Sequence, residues 1–487
     1  MKPKISIIEL FSGIGAQIKG LKNTNLFEVE SKGTSDLDKE VIVSYAAIHN
    51  GLTNDLINTY DNYPTKEEMI KELTEKRIGY DFKKDKGYNW EKLAKRSDKT
   101  KGIEKYWLAN HLSKNLGDIS LVKSLPYCDL LTYSFPCTNL SIEGKQEGLK
   151  WTCQDCGESY DPSSIDVNNR YNCPYCHSDN IKSTSSGLLY EVERLLLIAK
   201  QNNSLPKYLL MENVDALVSK KNIDSFQDWI NRLDSLGYNT YYQVINAKYA
   251  GVPQNRKRIF CISILKEIDT KNFTFPLPFD NGMRFKDIAE KEQDILDKYF
   301  LSDKVQKRFQ CIDETMSKNI IGTTKPEYRT IGQKDLVYNE NGIMGTLIAT
   351  DYKQPKQIYV SNNETFKCIH SGDLCSEKYK RMHEISRRIY NEEGIIPAIT
   401  CFNGGNTETK IERNNFKVVR KITPKECHRL MGFNDIDYNS CKAVGMSDSQ
   451  GYKQAGNSIV VNVISLLIEH LYKAEYNENY VCLDQQM

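Results

Sequence analysis

The feature that most constrains the fold is an apolar strand that runs directly into a glycine turn and a helix at the start of the chain. The strand is predicted from Lys4 to Leu10, the turn is Phe11-Ser12-Gly13-Ile14-Gly15, and the helix begins at Ala16. Further strand candidates follow at 129–135, 207–211, 239–245 and 259–264, with helical patterns between several of them. This alternation predicts an α/β fold with a Rossmann-like, mostly parallel sheet, whose ligands bind at the carboxyl ends of the strands.

The glycine turn is suited to a nucleotide-like ligand, although many parallel-sheet proteins use such turns only for packing. Gly13 and Gly15 would let the backbone approach a ligand at the helix N-terminus. Asp36 follows a plausible second strand and could bind a ribose, and Asp118 could accept a hydrogen bond from an adenine amino group. A nicotinamide-dependent dehydrogenase is disfavoured because Ile18 stands where the dinucleotide motif requires its third glycine.

Three further predicted strands carry reactive or charged side chains on the strand or directly after it. Cys137 follows Pro136 at the end of an apolar strand, where a thiol can serve as a nucleophile, although a free cysteine is more often a buried small apolar residue. Glu212 ends another apolar strand and could act as a general acid or base. Arg256 and Arg258 alternate on one face of a third strand, and their guanidinium groups suit phosphate or a nucleobase carbonyl.

Two insertions interrupt the strand and helix pattern. The segment at about 51–116 has mixed charge and a helix-permissive composition, which favours surface helices over a DNA-contacting element. The segment at about 151–183 carries Cys153 and Cys156, then 16 residues, then Cys173 and Cys176. This spacing predicts a four-thiolate zinc ribbon with a structural Zn²⁺. We expect the ribbon mainly to stabilise a long loop and secondarily to add a DNA contact.

The polar segment from about 275 to 415 contains an internal repeat. Tyr338 to Leu347 is matched 52 residues later by Tyr390 to Ile399, and both copies continue through a polar turn to an element with lysine and isoleucine, at Lys356 to Ile358 and at Lys410 to Ile411. A tandem β-rich unit is the economical explanation, since a chance resemblance would have to hold over about eight positions. The sequence leaves undecided which copy faces a ligand.

Five motifs occur in a fixed order along the chain. They are Phe11-Ser12-Gly13-Ile14-Gly15, Phe135-Pro136-Cys137, Glu212-Asn213-Val214, Gln254-x-Arg256-x-Arg258 and Lys453-Gln454-Ala455-Gly456-Asn457-Ser458. In order and approximate spacing they resemble the cytosine carbon-5 DNA methyltransferases. The resemblance covers about 5–264 and 419–468 apart from the insertions. It implies the S-adenosylmethionine-dependent methyltransferase fold, S-adenosylmethionine as the cofactor and double-stranded DNA as the substrate.

The resemblance also implies residue roles. Cys137 would add to carbon 6 of cytosine, Glu212 would bind ring N3 and the exocyclic amine, and Arg258 would hold the base carbonyl, with Arg256 in the same catalytic set. The target cytosine would have to flip out of the duplex. The implied cofactor-binding residues are Phe11, Gly13, Gly15, Asp36, Leu37, Asp118, Ile119, Pro136, Leu189, Asn457 and Ile459. Leu37 stands where the family often has tryptophan over the adenine.

This interpretation predicts three parts of the chain. A catalytic domain at 1–265 would carry both insertions, a target recognition domain of two related sub-units would occupy 266–418, and a C-terminal segment at 419–487 would return to the catalytic domain. The alternatives are a tRNA cytosine-5 methyltransferase of the same lineage, against which the long recognition segment argues, and a catalytically inactive DNA-binding relative, against which the intact Cys137, Glu212 and Arg258 argue.

Composition predicts the cellular compartment of the protein and the chemical state of its cysteines. No stretch approaches the roughly 20 apolar residues that a membrane span requires, and we expect a cytoplasmic protein. Fourteen cysteines without a signal peptide favour thiol chemistry, metal binding or burial over disulfides. We expect the modification half of a prokaryotic or phage restriction-modification pair, monomeric on DNA, with any cognate restriction endonuclease acting separately.

Overall fold

The computed structural model describes residues 2–135, 151–298 and 423–477, with short gaps, together with eight short strands between 320 and 421. Pro136 and Cys137 lie outside the described residues.

The strands are β1 (Lys4–Leu10), β2 (Glu28–Ser35), β3 (Leu130–Tyr133), β4 (Trp151–Cys153), β5 (Ser159–Tyr160), β6 (Ile181–Ser183), β7 (Tyr208–Val214), β8 (Tyr238–Asn246), β9 (Gln254–Asn255), β10 (Lys257–Leu265), β11 (Ile320–Thr323), β12 (Leu336–Asn339), β13 (Gln357–Tyr359), β14 (His370–Asp373), β15 (Arg388–Asn391), β16 (Ile396–Pro397), β17 (Lys410–Arg413) and β18 (Val418–Lys421). The helices are α1 (Ala16–Asn23), α2 (Lys39–His49), α3 (Asn54–Thr59), α4 (Lys66–Glu75), α5 (Trp90–Ala94), α6 (Ile103–Leu112), α7 (Leu189–Gln201), α8 (Ile223–Leu236), α9 (Phe285–Ile288), α10 (Pro424–Leu430), α11 (Asp435–Ala443), α12 (Asp448–Asn457) and α13 (Val461–Tyr476).

A six-stranded sheet in the order β2-β1-β3-β7-β10-β8 forms the centre of the fold. The pairs from β2 to β7 are parallel, and β10 is antiparallel to both of its neighbours. The predicted mostly parallel α/β sheet is therefore confirmed. Strands β1, β3 and β7 are almost entirely buried, because helices cover both faces of a parallel sheet. Their carboxyl ends consequently meet at one edge of the sheet.

Strand β2 continues to Ser35, the residue directly before Asp36. Its register against β1 shifts by one residue where Ile7 pairs with Ser31 and Ile8 with Gly33. The strand carries the chain to the same edge as the glycine turn. Ser12 N donates to Ser35 O at 3.1 Å and fixes the end of β2 beside that turn.

The segment between α2 and β3 forms four helices with a hydrophobic core of their own. Trp90 and Trp107 are buried in that core, which also includes residues of α2. The insertion therefore contains helices, and these helices are packed rather than solvated on all sides. The chain then returns along β2, where Leu116 N donates to Thr34 O at 2.8 Å.

The C-terminal helix α13 packs against α1. Ser465 Oγ donates to Gly20 O at 3.0 Å, and a Cβ at position 20 would lie 2.6 Å from Ile464, so this approach requires glycine. The stretch Asp448–Tyr476 is long and apolar enough, by length and composition alone, to cross a membrane. Buried core helices meet the same criterion, and 61% of its most apolar window is buried inside the protein.

The described strands between 320 and 421 form two sheets with a shared pairing pattern. In the first, β11 is antiparallel to β12 and β12 is parallel to β13. In the second, β14 is antiparallel to β15 and β15 is parallel to β17, which pairs with β18. The register shifts before Gly322 in one sheet and before Gly372 in the other. The sequence repeat therefore coincides with a repeat of strand pairing.

Candidate active site

The glycine turn after β1 has the backbone conformation that a close ligand requires. Phe11, Gly13 and Gly15 have φ values of 57°, 54° and 78°, in the left-handed region that glycine adopts most readily. A Cβ built at Gly13 would meet nothing within 4 Å, so open space lies beside this backbone. A Cβ at Gly15 would instead lie 2.3 Å from Nε2 of His49. Gly13 therefore faces the candidate ligand space, whereas Gly15 faces the protein interior.

A buried carboxyl group in β1 supports this turn through hydrogen bonds. Glu9 in β1 accepts hydrogen bonds from Ile18 N at 3.0 Å and from the Tyr45 hydroxyl at 2.5 Å. Burial raises the pKa of Glu9 to about 7 and lowers the pKa of His49 to about 3. His49 is therefore neutral near pH 7, and its Nε2 lies 3.0 Å from Ile14 O. Glu9 and His49 thus hold the turn without facing the open space.

Asp36 lies directly beside the glycine turn at the end of β2. Its Oδ2 accepts from Gly13 N at 3.0 Å, and its Oδ1 accepts from Asp38 N at 2.9 Å. Burial raises the pKa of Asp36 to about 6. The backbone of Asp36 is fixed by Asn115, whose side chain bonds both its N–H and its carbonyl at 3.0 Å. The structure therefore brings Asp36 and Gly13 together.

Asp118 and Ile119 form the next wall of this region. The Asp118 side chain is 4% exposed, and its Oδ1 accepts from Ser120 N at 3.0 Å. Its other oxygen lies 3.1 Å from Arg77 Nη1. Ile119 and Leu189 are both buried in one hydrophobic cluster with the carboxyl-terminal part of β1.

Residues at the end of α12 reach the same edge. Lys453 Nζ donates to Asp38 Oδ2 at 2.6 Å. Ile459 is buried, and Asn457 is exposed. Arg256 donates from Nη2 to Gly456 O at 3.2 Å and to Ser458 O at 2.9 Å.

Glu212 and Arg258 are brought together across neighbouring strands. Arg258 Nε lies 3.3 Å from Glu212 Oε1, and both side chains are largely buried. Arg256, predicted in the same set, instead points to the loop after α12 and does not join this pair. Asn213 Nδ2 donates to Phe135 O at 3.1 Å, which fixes the last described residue before Cys137 beside β7. Glu212 is on β7, the strand that pairs with β3, and Arg258 is on β10, the next strand of the sheet. The pair therefore lies close to the end of β3.

A short strand from the second copy of the repeat contacts this region in a two-stranded sheet of its own with β9. Strand β16, which belongs to the second copy of the repeat, pairs in parallel with β9, with Ile396 opposite Gln254 and Pro397 opposite Asn255. The second copy adjoins the strand that leads into Arg256 and Arg258.

The four predicted metal ligands converge. The thiol sulfurs of Cys153, Cys156, Cys173 and Cys176 all lie within 4.8 Å of one another. The Sγ atoms of Cys153 and Cys176 are 3.5 Å apart, and those of Cys156 and Cys173 are 3.6 Å apart. Tetrahedral Zn²⁺ with bonds of about 2.3 Å separates its sulfurs by about 3.8 Å. The cluster therefore fits a zinc ion.

The cysteine-rich segment docks firmly on α7. Arg170 is fully buried and forms an ion pair with Glu193. The Tyr171 hydroxyl donates to Glu191 Oε1 at 2.9 Å, and Arg194 Nε donates to the other oxygen of Glu191 at 2.8 Å. Arg194 also donates to Ile119 O at 3.1 Å. A continuous chain of contacts thus runs from the cysteine-rich segment to the turn that carries Asp118.

Sequence reasoning missed several residues of this site. Glu9 carried a visible signal, because a charged residue in an apolar strand requires a partner. Asn213 was visible as a member of the Glu212-Asn213-Val214 motif, but its contact with Phe135 was not. Asn115 and Arg77 carried no signal, since their roles depend on which segments of the chain meet.

Comparisons with known proteins identify the family of the chain. Residues 85–155 and 175–473 match the family described as C-5 cytosine-specific DNA methylase. The chain is 29% identical over 475 residues to the Type II methyltransferase M2.ScrFI of Lactococcus lactis subsp. cremoris, covering 97% of this chain and 100% of that protein. It is 29% identical over 473 residues to the orphan methyltransferase M.SssI of Spiroplasma monobiae, with 96% and 97% covered. The solved structure of S. pombe Dnmt2 methyltransferase aligns with a TM-score of 0.48 at 15% identity, covering 96% of this chain and 99% of that chain.

The fold and the matched region define an S-adenosylmethionine-dependent methyltransferase. The chain belongs to the C-5 cytosine-specific DNA methylase family. It is a DNA (cytosine-5-)-methyltransferase, and DNA cytosine methylation is supported over the tRNA-modifying and inactive alternatives.

Proposed function

We propose that Cys137 is the nucleophile, that Glu212 and Arg258 hold the flipped cytosine, and that the glycine turn holds the cofactor. The observation that carries this assignment is the Arg258 Nε to Glu212 Oε1 contact of 3.3 Å at the edge where β3 leads to Cys137. A buried carboxyl group paired with a guanidinium offers an acceptor for the exocyclic amine and donors for the base carbonyl. Both groups are needed to bind the hydrogen-bonding edge of cytosine.

The roles of these residues follow from the chemistry of cytosine. Its carbon 5 is a weak nucleophile, so the Cys137 thiolate adds to carbon 6 and the ring electrons move toward N3. Glu212 stabilises that charge by hydrogen bonding or proton donation at N3, and Arg258 stabilises the carbonyl oxygen. When bound, S-adenosylmethionine supplies the methyl group at a positively charged sulfur. Once carbon 5 carries the methyl group, whose bond to sulfur has broken with the electron pair left on sulfur, loss of the carbon 5 proton to a base would expel the Cys137 thiolate from carbon 6.

The proposed cofactor site consists of residues around the open space beside Gly13. Asp36 would bind the ribose hydroxyls, and Asp118 would accept from the adenine amine. The remaining proposed members are Phe11, Gly15, Leu37, Ile119, Pro136, Leu189, Asn457 and Ile459. Their support is that the described members lie on loops at one edge of the sheet, with Gly13 and Asp36 in direct contact at 3.0 Å.

Arg256 is better suited to a positioning role than to contact with the base. Its guanidinium bonds two carbonyls of the loop after α12, at Gly456 and Ser458. This tether holds Asn457 between them at the proposed cofactor site. Arg256 therefore supports catalysis by joining the C-terminal segment to the strand that carries Arg258.

Further parts of the proposal concern the remaining organisation. The thiols of Cys153, Cys156, Cys173 and Cys176 would hold a structural Zn²⁺. Residues 1–265 and 419–487 would form the catalytic domain, and 266–418 would form the target recognition domain. The second repeat copy would lie nearer the target base, because β16 pairs with β9. The protein would act as a cytoplasmic monomer, with any cognate restriction endonuclease as a separate protein.

The test is transfer of labelled methyl groups to genomic DNA and, separately, to total tRNA. Wild-type protein should label carbon 5 of cytosine within a short DNA motif. Cys137→Ala should abolish labelling, whereas Cys128→Ser, which changes a buried thiol with a pKa raised to about 12, should retain it. Glu212→Gln should lower kcat by about 100-fold or more. Full activity of Cys137→Ala, or label in tRNA alone, would refute the assignment.

A further inference from the structure

A short segment of the helical insertion lies between two walls of the proposed cofactor site. After α4, Gly79 N donates to Leu37 O at 2.8 Å, and Asp118 N donates to Lys76 O at 3.1 Å. A Cβ built at Gly117 would lie 2.4 Å from Lys76 O, so the two backbones are in direct contact. The insertion therefore sets the spacing between Leu37 and Asp118.

Arg77 in this segment holds the Asp118 carboxylate. Its Nη1 lies 3.1 Å from Asp118 Oδ2, while Asp118 Oδ1 accepts from Ser120 N at 3.0 Å and from Ser120 Oγ at 2.8 Å. A carboxylate offers about four acceptor positions. These three donors orient the group and leave capacity for about one more, which is what an adenine amine requires.

Arg77 is itself supported by the packed core of the insertion. Glu72 on α4 accepts from Trp107 Nε1 at 2.6 Å and from Asn110 Nδ2 at 3.2 Å, both on α6. Lys76 Nζ lies 2.8 Å from the same carboxylate. The end of α4 is therefore fixed, although the Arg77 side chain is 41% exposed. Because its backbone follows the fixed end of α4 and its side chain is partly exposed, Arg77 lies between the proposed cofactor site and solvent.

We propose that the helical insertion is a cofactor-binding element and that Arg77 is the positioning residue that aims Asp118 at the adenine amine. This inference rests on the proposed placement of adenine at Asp118. It assigns a function to a segment whose composition indicates only surface helices. Arg77 would set cofactor affinity and selectivity for adenine without entering the methyl-transfer chemistry.

The first measurement is binding of the reaction product S-adenosylhomocysteine by calorimetry. Arg77→Ala should weaken binding by about five- to ten-fold, because a partly exposed ion pair contributes modestly. The KM for S-adenosylmethionine should rise by a similar factor, with kcat unchanged at saturation. Lys71→Ala is the matched control, since it removes an exposed cation from α4, the helix before Arg77, 3.9 Å from Glu75, and should change neither.

The second measurement separates positioning from general support. S-inosylhomocysteine presents a carbonyl in place of the adenine amine and should bind wild-type protein much more weakly than S-adenosylhomocysteine. Arg77→Ala should reduce that preference several-fold, because Asp118 is no longer oriented. Arg77→Lys, which keeps the charge but not the planar fork, should give an intermediate preference and serves as the variant if Arg77→Ala does not fold.

The outcomes distinguish this inference from the function on which it rests. Equal weakening of both ligands by Arg77→Ala, or a fall in kcat at saturating cofactor, would overturn the role of Arg77. Asp118→Ala should abolish the preference for the adenosyl ligand. If Asp118→Ala leaves both affinities unchanged, the proposed adenine site is wrong, and the inference is overturned with it.

Discussion

Two glycines in one turn provide the sharpest test of the structure. Gly13 and Gly15 both have left-handed backbones, so alanine at either position carries a strain of about 1 kcal/mol. Only Gly15 faces a packed interior, where the new Cβ would lie 2.3 Å from His49 Nε2 and 2.7 Å from Tyr45 Cε2. Alanine at Gly13 would meet nothing within 4 Å.

The expected difference follows from what His49 must give up. To accommodate alanine at Gly15, the His49 ring must move by about 1 Å and lose its contact with Ile14 O, which costs about 1–3 kcal/mol when a buried group is left unpaired. Gly15→Ala should therefore lower the free energy of unfolding by about 2–4 kcal/mol, and Gly13→Ala by about 1 kcal/mol. Cofactor binding should show the reverse order, because the Cβ at position 13 occupies the open space.

Urea unfolding without cofactor, followed by fluorescence, measures the first difference, and calorimetry with S-adenosylhomocysteine measures the second. Equal destabilisation by the two substitutions would refute the packing of His49 beneath Gly15. Unchanged cofactor affinity in Gly13→Ala would refute the placement of the ligand beside Gly13.

Three further predictions use other parts of the structure. Burial raises the pKa of Glu9 from 4.5 to about 7, so the contribution of Glu9 to stability is complete below pH 4.5 and is lost as the pH rises through about 7. The free energy of unfolding of the wild type should therefore fall by about 3 kcal/mol between pH 4.5 and 8. Glu9→Gln should remove this fall, measured by urea unfolding. Arg256→Ala should lower the free energy of unfolding by about 2–4 kcal/mol, because the carbonyls of Gly456 and Ser458 lose their donor, whereas a base-contacting Arg256 would lower kcat with little change in stability. Cys153→Ser should lower the bound zinc, measured by atomic absorption, from about one per chain to well below one; unchanged zinc content would contradict the four-thiolate site.

The strands and the residues at their ends could be predicted because their signals are local. Apolar runs that stop at Glu212 or at Phe135 mark buried strands and the edge where they end, and a parallel sheet brings such ends together. The cysteine spacing is equally local. These features alone predict that Gly13, Asp36 and Glu212 lie at one edge of the sheet.

The direction of Arg256 could not be predicted from its alternation with Arg258. Alternation fixes a strand face only when the strand is continuous, but β9 ends at Asn255 and β10 begins at Lys257. Arg256 therefore lies in a break, where its N–H bonds Asn246 Oδ1 at 3.2 Å instead of continuing the ladder of β10. The break turns its side chain toward the C-terminal loop, which is far away in the sequence.

Three contacts between distant segments of the chain explain how the residues for the cofactor and for the base are held at one site. Lys453 pairs with Asp38 beside Asp36, Arg256 bonds the loop after α12, and Arg77 pairs with Asp118. In each case a cation from one segment holds an anion or carbonyl of another at the same sheet edge. The pairs made by Lys453 and Arg77 are partly exposed and add little stability, so their main contribution is position. Arg256 is buried and contributes both stability and position, which a site made from segments distant in the sequence requires.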